Sequence, residues 1–165
     1  GNKTLLAQCA LHKEQIVGVS AKFNYPKDPN DPGARRCYDK NTGGAMLDLG
    51  VYVMQAAKDI LAILGQDLHK FDEKKRIWVK KTADNIDYEM EAELTYGGVD
   101  VYLESKINPG SNHCEEIVVT LKNGDRIVAN QFAHWHDSVG VIIEHMDGTA
   151  TTFEESKDSK TTYSY

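Results

Sequence analysis

An α+β fold is what this sequence predicts: a large, mostly antiparallel sheet with one long helix and one short helix packed on a single face. Two features predict it. The glycine pairs and near-pairs Gly97-Gly98, Asn123-Gly124 and Asp147-Gly148 separate segments of alternating apolar and polar residues. Two-residue turns of this kind join neighbouring strands antiparallel, so the sheet reads as a meander of hairpins. Upstream, Gly43-Gly44 feeds a helix whose amphipathic body begins at Val53 and stops at Gly65, a left-handed cap.

The elements follow in order. Lys3 to Leu11 reads as a short helix, and Ile16 to Tyr25 then alternates with Val17, Val19, Ala21, Phe23 and Tyr25 on one face, a half-buried strand. Pro26 to Gly33 carries three prolines and reads as a loop that delivers Arg35 and Arg36 to the mouth of the glycine turn. Ile77-Trp78-Val79 lies among Lys70, Lys74, Lys75, Arg76, Lys80 and Lys81. That pattern fits a solvated strand with one buried face better than a phosphate-tracking patch. Tyr88 to Tyr96 pairs through Gly97-Gly98 with Val99 to Ile107, Ile117 to Leu121 with Arg126 to Ala129, and Val139 to Met146 leads into Asp147-Gly148. Glu154 to Ser164 is a polar tail, either a frayed end or a last edge strand. One long helix cannot cover both faces of such a sheet, so the second face is partly polar and partly available.

The candidate chemistry sits at the helix start. Asp48 and Tyr52 are four residues apart and share one helical face. A carboxylate and a phenol there, beside glycines that admit a ligand close to the backbone, can serve proton transfer to a hydroxyl or carbonyl. The same residues also suit plain structure, with Asp48 at the positive end of the helix dipole and Tyr52 as half-buried packing.

The run from Gly43 to Tyr52, GGAMLDLGVY, with the amphipathic segment behind it, resembles the glucose-fructose oxidoreductase and inositol dehydrogenase (Gfo/Idh/MocA) family. In that family an N-terminal Rossmann domain precedes a C-terminal domain built on a large antiparallel sheet, and a helix of the latter carries an Asp-x-x-x-His or Asp-x-x-x-Tyr pair facing the substrate. Asp48 and Tyr52 match the tyrosine variant, as in the glucose-fructose oxidoreductase and dihydrodiol dehydrogenase branches. Arg35-Arg36 sits where those branches place a substrate-side arginine. The resemblance implies catalytic roles for Asp48 and Tyr52, substrate contacts from Arg35, Arg36, Gly43 and Gly44, a sugar, polyol or related substrate, and a homodimer through the open sheet face. Missing are a Gly-x-Gly-x-x-Gly after a strand, an acidic residue downstream of it, and the Glu-Lys-Pro segment that supplies the family's catalytic lysine. Residues 1–165 therefore read as a single C-terminal substrate-binding and oligomerisation domain of a two-domain parent, with NAD or NADP bound by the absent Rossmann half and no cofactor by this chain. The family runs on past the position of Tyr165 into a further helix. The alternative from another class is a non-catalytic regulatory or assembly module reusing the fold.

Composition is compatible with one soluble domain. The 165 residues carry 19 basic and 25 acidic side chains, a net charge of −6, which argues against a nucleic-acid partner. No segment has the unbroken apolar length of a membrane span and no signal peptide opens the chain, so no membrane role and a cytoplasmic location are expected. Cys9, Cys37 and Cys114 are odd in number and widely spaced, and indicate neither a disulfide framework nor a zinc knuckle. His134-Trp135-His136-Asp137, with His113, Cys114 and His145, is a weaker zinc or substrate-lining set that matches no metal spacing. Lys106 and Asn108, ahead of Pro109-Gly110-Ser111-Asn112, form a polar loop suited to ligand contact or to ordinary turn chemistry. No nucleophile elbow supports hydrolysis.

Overall fold

In the computed structural model residues 3–133 and 140–153 are described. Alternation in the sequence becomes strands β1 Ile16–Asn24, β2 Glu73–Lys81, β3 Asp87–Tyr96, β4 Val99–Lys106, β5 Cys114–Leu121, β6 Arg126–Asn130, β7 Val141–Glu144 and β8 Ala150–Phe153. Helical periodicity becomes α1 Lys3–Leu11 and α2 Val51–Ile63. The strands form one sheet in the order β2-β3-β4-β1-β5-β6-β7-β8. The predicted α+β class and mostly antiparallel sheet are both present.

The sheet is two meanders rather than one. β2-β3-β4 and β5 to β8 are joined by β1, which runs parallel to β4 and antiparallel to β5. The parallel pair lies at the centre, where helices can cover it. α2 lies over β1 and β4, and α1 packs against α2 and β6. Leu5, Cys9, Val53, Ala57, Ile60 and Leu61 from the helices meet Val19, Ala21, Val101, Leu103, Ile117 and Val119 from the strands, all buried. Burying this many aliphatic side chains, at about 1.5–3 kcal/mol each, is what holds the two layers together.

Local geometry departs from the sequence reading in three places. A bulge between Ile16 and Gly18 shifts the phase of β1, so Ile16 is buried and Val17 only half-buried. Only Gly97-Gly98, both at positive φ, makes a two-residue turn. The other two hairpins close over three residues, with Leu121 N donating to Asp125 O at 2.9 Å and His145 N to Thr149 O at 2.9 Å. In each the glycine, Gly124 or Gly148, takes the left-handed position. Last, β2 has no buried face: Ile77 is 56% and Val79 41% exposed, and Trp78 alone is half-buried. The helices lie over the centre of the sheet and leave this edge uncovered. Its cations are matched by carboxylates, Lys75 to Asp100 at 2.6 Å, Arg76 to Glu91 at 3.7 Å and Lys80 to Glu89 at 3.5 Å. A lysine-studded edge also resists pairing with a foreign strand.

The face away from the helices divides in two. Across β3, β4 and β1 it holds a polar network: Lys106 Nζ lies 2.9 Å from both Glu91 and Glu104, Tyr102 Oη donates to Glu104 at 2.6 Å, and Asn24 Nδ2 donates to Glu104 at 2.5 Å. Burial raises the Glu104 pKa, but these donors outweigh it and hold the carboxyl below its ordinary value, while burial and the adjacent carboxylate push the Tyr102 hydroxyl well up. Across β5, β6 and β7 the same face presents Val118, Val128 and Ile142 in one cross-strand row. Among the described residues no helix is long and apolar enough to cross a membrane.

Candidate functional site

The site forms where β1 ends. Tyr25 N donates to Lys106 O at 2.9 Å and Lys27 N to Ile107 O at 2.8 Å, so the chain leaving β1 stays tied to the end of β4. The Tyr38 hydroxyl lies 2.7 Å from the Lys27 carbonyl and 3.0 Å from that of Ile107, which fixes the Lys27 backbone from the other side. Pro26 to Gly33 does break regular structure, but its last residues open a 3₁₀ helix over Pro32–Tyr38. Pro32 occupies the first turn and Asp31 Oδ1 accepts from Gly33 N at 2.9 Å. That helix carries Arg36 and Cys37 toward the glycine turn.

The glycines are required by the protein's own atoms. A Cβ on Gly43 would stand 2.6 Å from the carbonyl oxygens of Asp39 and Cys37. Gly44 has φ +122°, and a Cβ there would fall on the Asp87 carboxylate. Asp87 Oδ2 in turn accepts from Met46 N at 2.7 Å, capping the start of the helix. The helix opens with a π turn, Met46–Gly50, before α2. At Gly50 a Cβ would meet Met46 Sδ, in a flexible side chain, at 2.6 Å and Ser105 Oγ at 3.3 Å. Single π turns inside helices recur at functional sites.

Asp48, on that π turn, is the centre of an ionic cluster. Its side chain is 10% exposed, with Arg36 Nη2 at 3.1 Å from Oδ1 and Lys27 Nζ at 3.8 Å from Oδ2. The buried Cys37 thiol donates to the same carboxylate, and burial together with the Asp48 charge pushes its pKa up, so it stays a neutral thiol. Lys27 Nζ also sits 4.6 Å from the centre of the Tyr25 ring, which meets His113 edge-on at 5.2 Å. Arg36, Cys37, Thr42, Gly43, Leu47 and Asp48 line a depression of about 200 Å³.

Of the residues singled out from sequence, Asp48, Arg36 and Gly43 meet here. Gly44 supports them from beneath, against Asp87, and Arg35 is exposed on the 3₁₀ helix without lining the depression. Tyr52 stands outside that lining, about one-third exposed, with its ring edge-on to Phe23 at 5.9 Å. Sequence reasoning missed Lys27, Cys37, Thr42 and Leu47. No local spacing links Lys27 to Asp48, and the cysteine spacing bears only on disulfide or zinc chemistry. The Lys106 and Asn108 loop is engaged within the protein, Lys106 in the polar network, Asn108 with Glu89 and with Gly110 N at 2.6 Å. Among the described residues no three His, Cys, Asp or Glu side chains converge. His145 bonds Asp125 at 3.0 Å, and His134, Trp135, His136 and Asp137 lie outside the described residues.

No family model matches the sequence, and no curated protein matches it. Solved structures do match in fold. An aldose-aldose oxidoreductase from Caulobacter crescentus, complexed with glycerol, superimposes with a TM-score of 0.66 at 11% identity over 94% of this chain and 45% of its own. The fold is that of the C-terminal domain of Gfo/Idh/MocA oxidoreductases. A levoglucosan dehydrogenase complexed with NADH and levoglucosan gives 0.62 at 16% identity, covering 92% of this chain and 44% of its own. A UDP-N-acetylglucosamine 3-dehydrogenase from Acidithiobacillus ferrooxidans gives 0.61 at 12%, covering 93% and 42%. At such identities the likeness is one of fold, and the chain spans less than half the length of each of these relatives.

The Gfo/Idh/MocA-type fold raises the matter of a nicotinamide cofactor, and the glycine turn does not fit one. A dinucleotide pyrophosphate needs free backbone N–H groups at a helix start. Here Gly43 N donates to Asp39 O at 2.7 Å, Gly44 N to Cys37 O at 2.8 Å, and Met46 N to Asp87. Titration calorimetry of the chain with NADH and with NADPH is therefore expected to give no saturable heat at micromolar concentration. Saturable binding would mean that a dinucleotide pocket exists elsewhere in these residues.

Proposed function

We propose that this chain is the substrate-binding domain of an NAD(P)-dependent oxidoreductase of the Gfo/Idh/MocA type, acting on a hydroxyl or carbonyl carbon of a sugar or polyol. The ionic cluster of Asp48 with Arg36 and Lys27 beside an open depression carries this reading. A bound nicotinamide would supply or accept the hydride. Within this chain, Tyr52 exchanges the proton of the reacting hydroxyl, Arg36 binds substrate oxygens, and Asp48 holds the arginine and lysine in place. The test is an assay of nicotinamide oxidation and reduction by the protein that joins this chain to a cofactor domain, over a panel of aldoses and polyols. Asp48→Asn is expected to weaken both binding and turnover, because it leaves Arg36 and Lys27 without their shared counter-charge. The one observation that favours the regulatory alternative is the place of Tyr52 outside the depression that Asp48 lines, and an inactive joined protein would support it.

The open sheet face supports a homodimer. Its apolar half carries the row Val118, Val128 and Ile142, with Val128 buried and the other two half-buried, and a two-fold interface needs only one such patch on each copy. Sedimentation equilibrium over a concentration series is expected to give twice the chain mass of 18.4 kDa. A chain still monomeric at high micromolar concentration would remove the oligomerisation claim and leave substrate binding standing.

A further inference from the structure

The site is crowded with donors and short of acceptors. Asp48 Oδ1 already faces Arg36 and Oδ2 already faces Lys27, so both oxygens that could receive a sugar hydroxyl are engaged by cations. Arg36 touches Asp48 through one terminal nitrogen and its side chain is 74% exposed, which leaves most of its N–H donors turned to the depression and solvent. Lys27 is held in place by the Tyr25 ring and by its backbone bond to Ile107. Beneath them Cys37 adds no charge. The other carboxylates on these loops are turned into their own turns: Asp28 to Asn30 N at 2.8 Å, Asp31 to Gly33 N, and Asp39 to Asn41 N at 2.9 Å and Thr42 N at 3.0 Å. Two cations therefore share the Asp48 carboxylate, Arg36 in the lining of the depression and Lys27 beside it, while Asp28, Asp31 and Asp39 keep their charge within their own turns.

We propose that the ligand of this site carries an anionic group, a carboxylate or phosphate on a sugar or polyol, held between Lys27 Nζ and the Arg36 guanidinium. The proposal rests on the substrate-binding reading above and narrows its substrate class. An anionic group offers only acceptors, which complements a donor-filled rim, and the Arg36 fork suits the planar or bidentate oxygens of carboxylate and phosphate. Asp48 then acts as the positioning residue that keeps the two cations close together before the ligand arrives.

The test is a titration of the isotopically labelled chain followed through its backbone amide resonances, at constant ionic strength, with D-gluconate, glucose 6-phosphate and glucose as probes. Saturable shifts at Thr42 and Gly43 are expected with gluconate or glucose 6-phosphate, at an affinity roughly tenfold or more above glucose, the scale of one charged hydrogen bond. Whichever probe binds identifies the anion as carboxylate or phosphate. Lys27→Met is expected to erase that preference and Lys27→Arg to keep it, while Lys40→Met, an exposed cation not paired with Asp48, leaves it unchanged; the unperturbed amide pattern of each variant reports its fold. Glucose binding as tightly as the anions at Thr42 and Gly43, or a preference that survives Lys27→Met, would overturn the anionic group but leave the substrate site. Shifts confined to other amides, or none with any probe, would overturn both.

Discussion

Tyr52→Phe, in the protein that joins this chain to a nicotinamide-binding domain, is expected to lower turnover about a hundredfold, the scale of losing a general acid or base. The substitution retains the ring. Tyr52 packs edge-on against Phe23 at 5.9 Å, and that aromatic contact survives removal of the hydroxyl. Urea unfolding of the variant is accordingly expected to stay within about 0.5 kcal/mol of the parent, as for most partly exposed substitutions. A turnover loss without a stability loss assigns the hydroxyl to chemistry. Parental turnover on the true substrate would make Tyr52 a packing residue, and would favour the regulatory reading that its position outside the depression already supports.

Much of the fold was legible because its signals are local. Period-two runs on either side of Gly97-Gly98 dictate a hairpin whatever surrounds them, and β3 and β4 pair in that register, Tyr96 opposite Val99. The insertion of β1 between β4 and β5 left no such trace. Gly18 pairs with Asp100, and the partner of a strand so distant in sequence is chosen by burial of the whole sheet rather than by any turn. The exposure of β2 is of the same kind: alternation marks a strand, but whether a helix reaches its inner face depends on where α2 lies.

The candidate site was legible in part for similar reasons. Asp48 and Arg36 lie on either side of one glycine turn, and they do meet. Lys27 approaches from the end of β1, so its place beside Asp48 is set by tertiary structure alone. The glycines of the turn mark positions of close approach, and in the sequence alone a ligand is as good an occupant as the protein's own atoms. For Gly44 it is Asp87, a residue of β3. A missing side chain shows that something comes near, and only the fold identifies it.

That contact makes Gly44→Ala the substitution with the largest expected effect on stability. Two costs add at this position. A φ of +122° is unfavourable for any residue with a Cβ, and the new methyl would occupy the place of the Asp87 carboxylate that caps Met46 N. Gly65→Ala sets a lower bound on the first cost, since Gly65 has φ +71°, nearer the left-handed region that other residues can adopt, with nothing within 4 Å of an added Cβ. It is expected to destabilise by about 1–2 kcal/mol in urea titration. Gly44→Ala is expected to exceed it by roughly another 1–3 kcal/mol, the range for loss of a part-buried, charge-assisted hydrogen bond. Asp87→Ala separates that second cost: it removes the cap and the obstruction together, so the double variant is expected to be less destabilised than the two single variants summed. The effect reaches the site as well, because Gly44 O accepts from Asp48 N at 3.0 Å, and a displaced turn carries Asp48 away from Arg36 and Lys27. If Gly44→Ala proves no worse than Gly65→Ala, Asp87 gives way freely, and the capped turn is then not what positions Asp48.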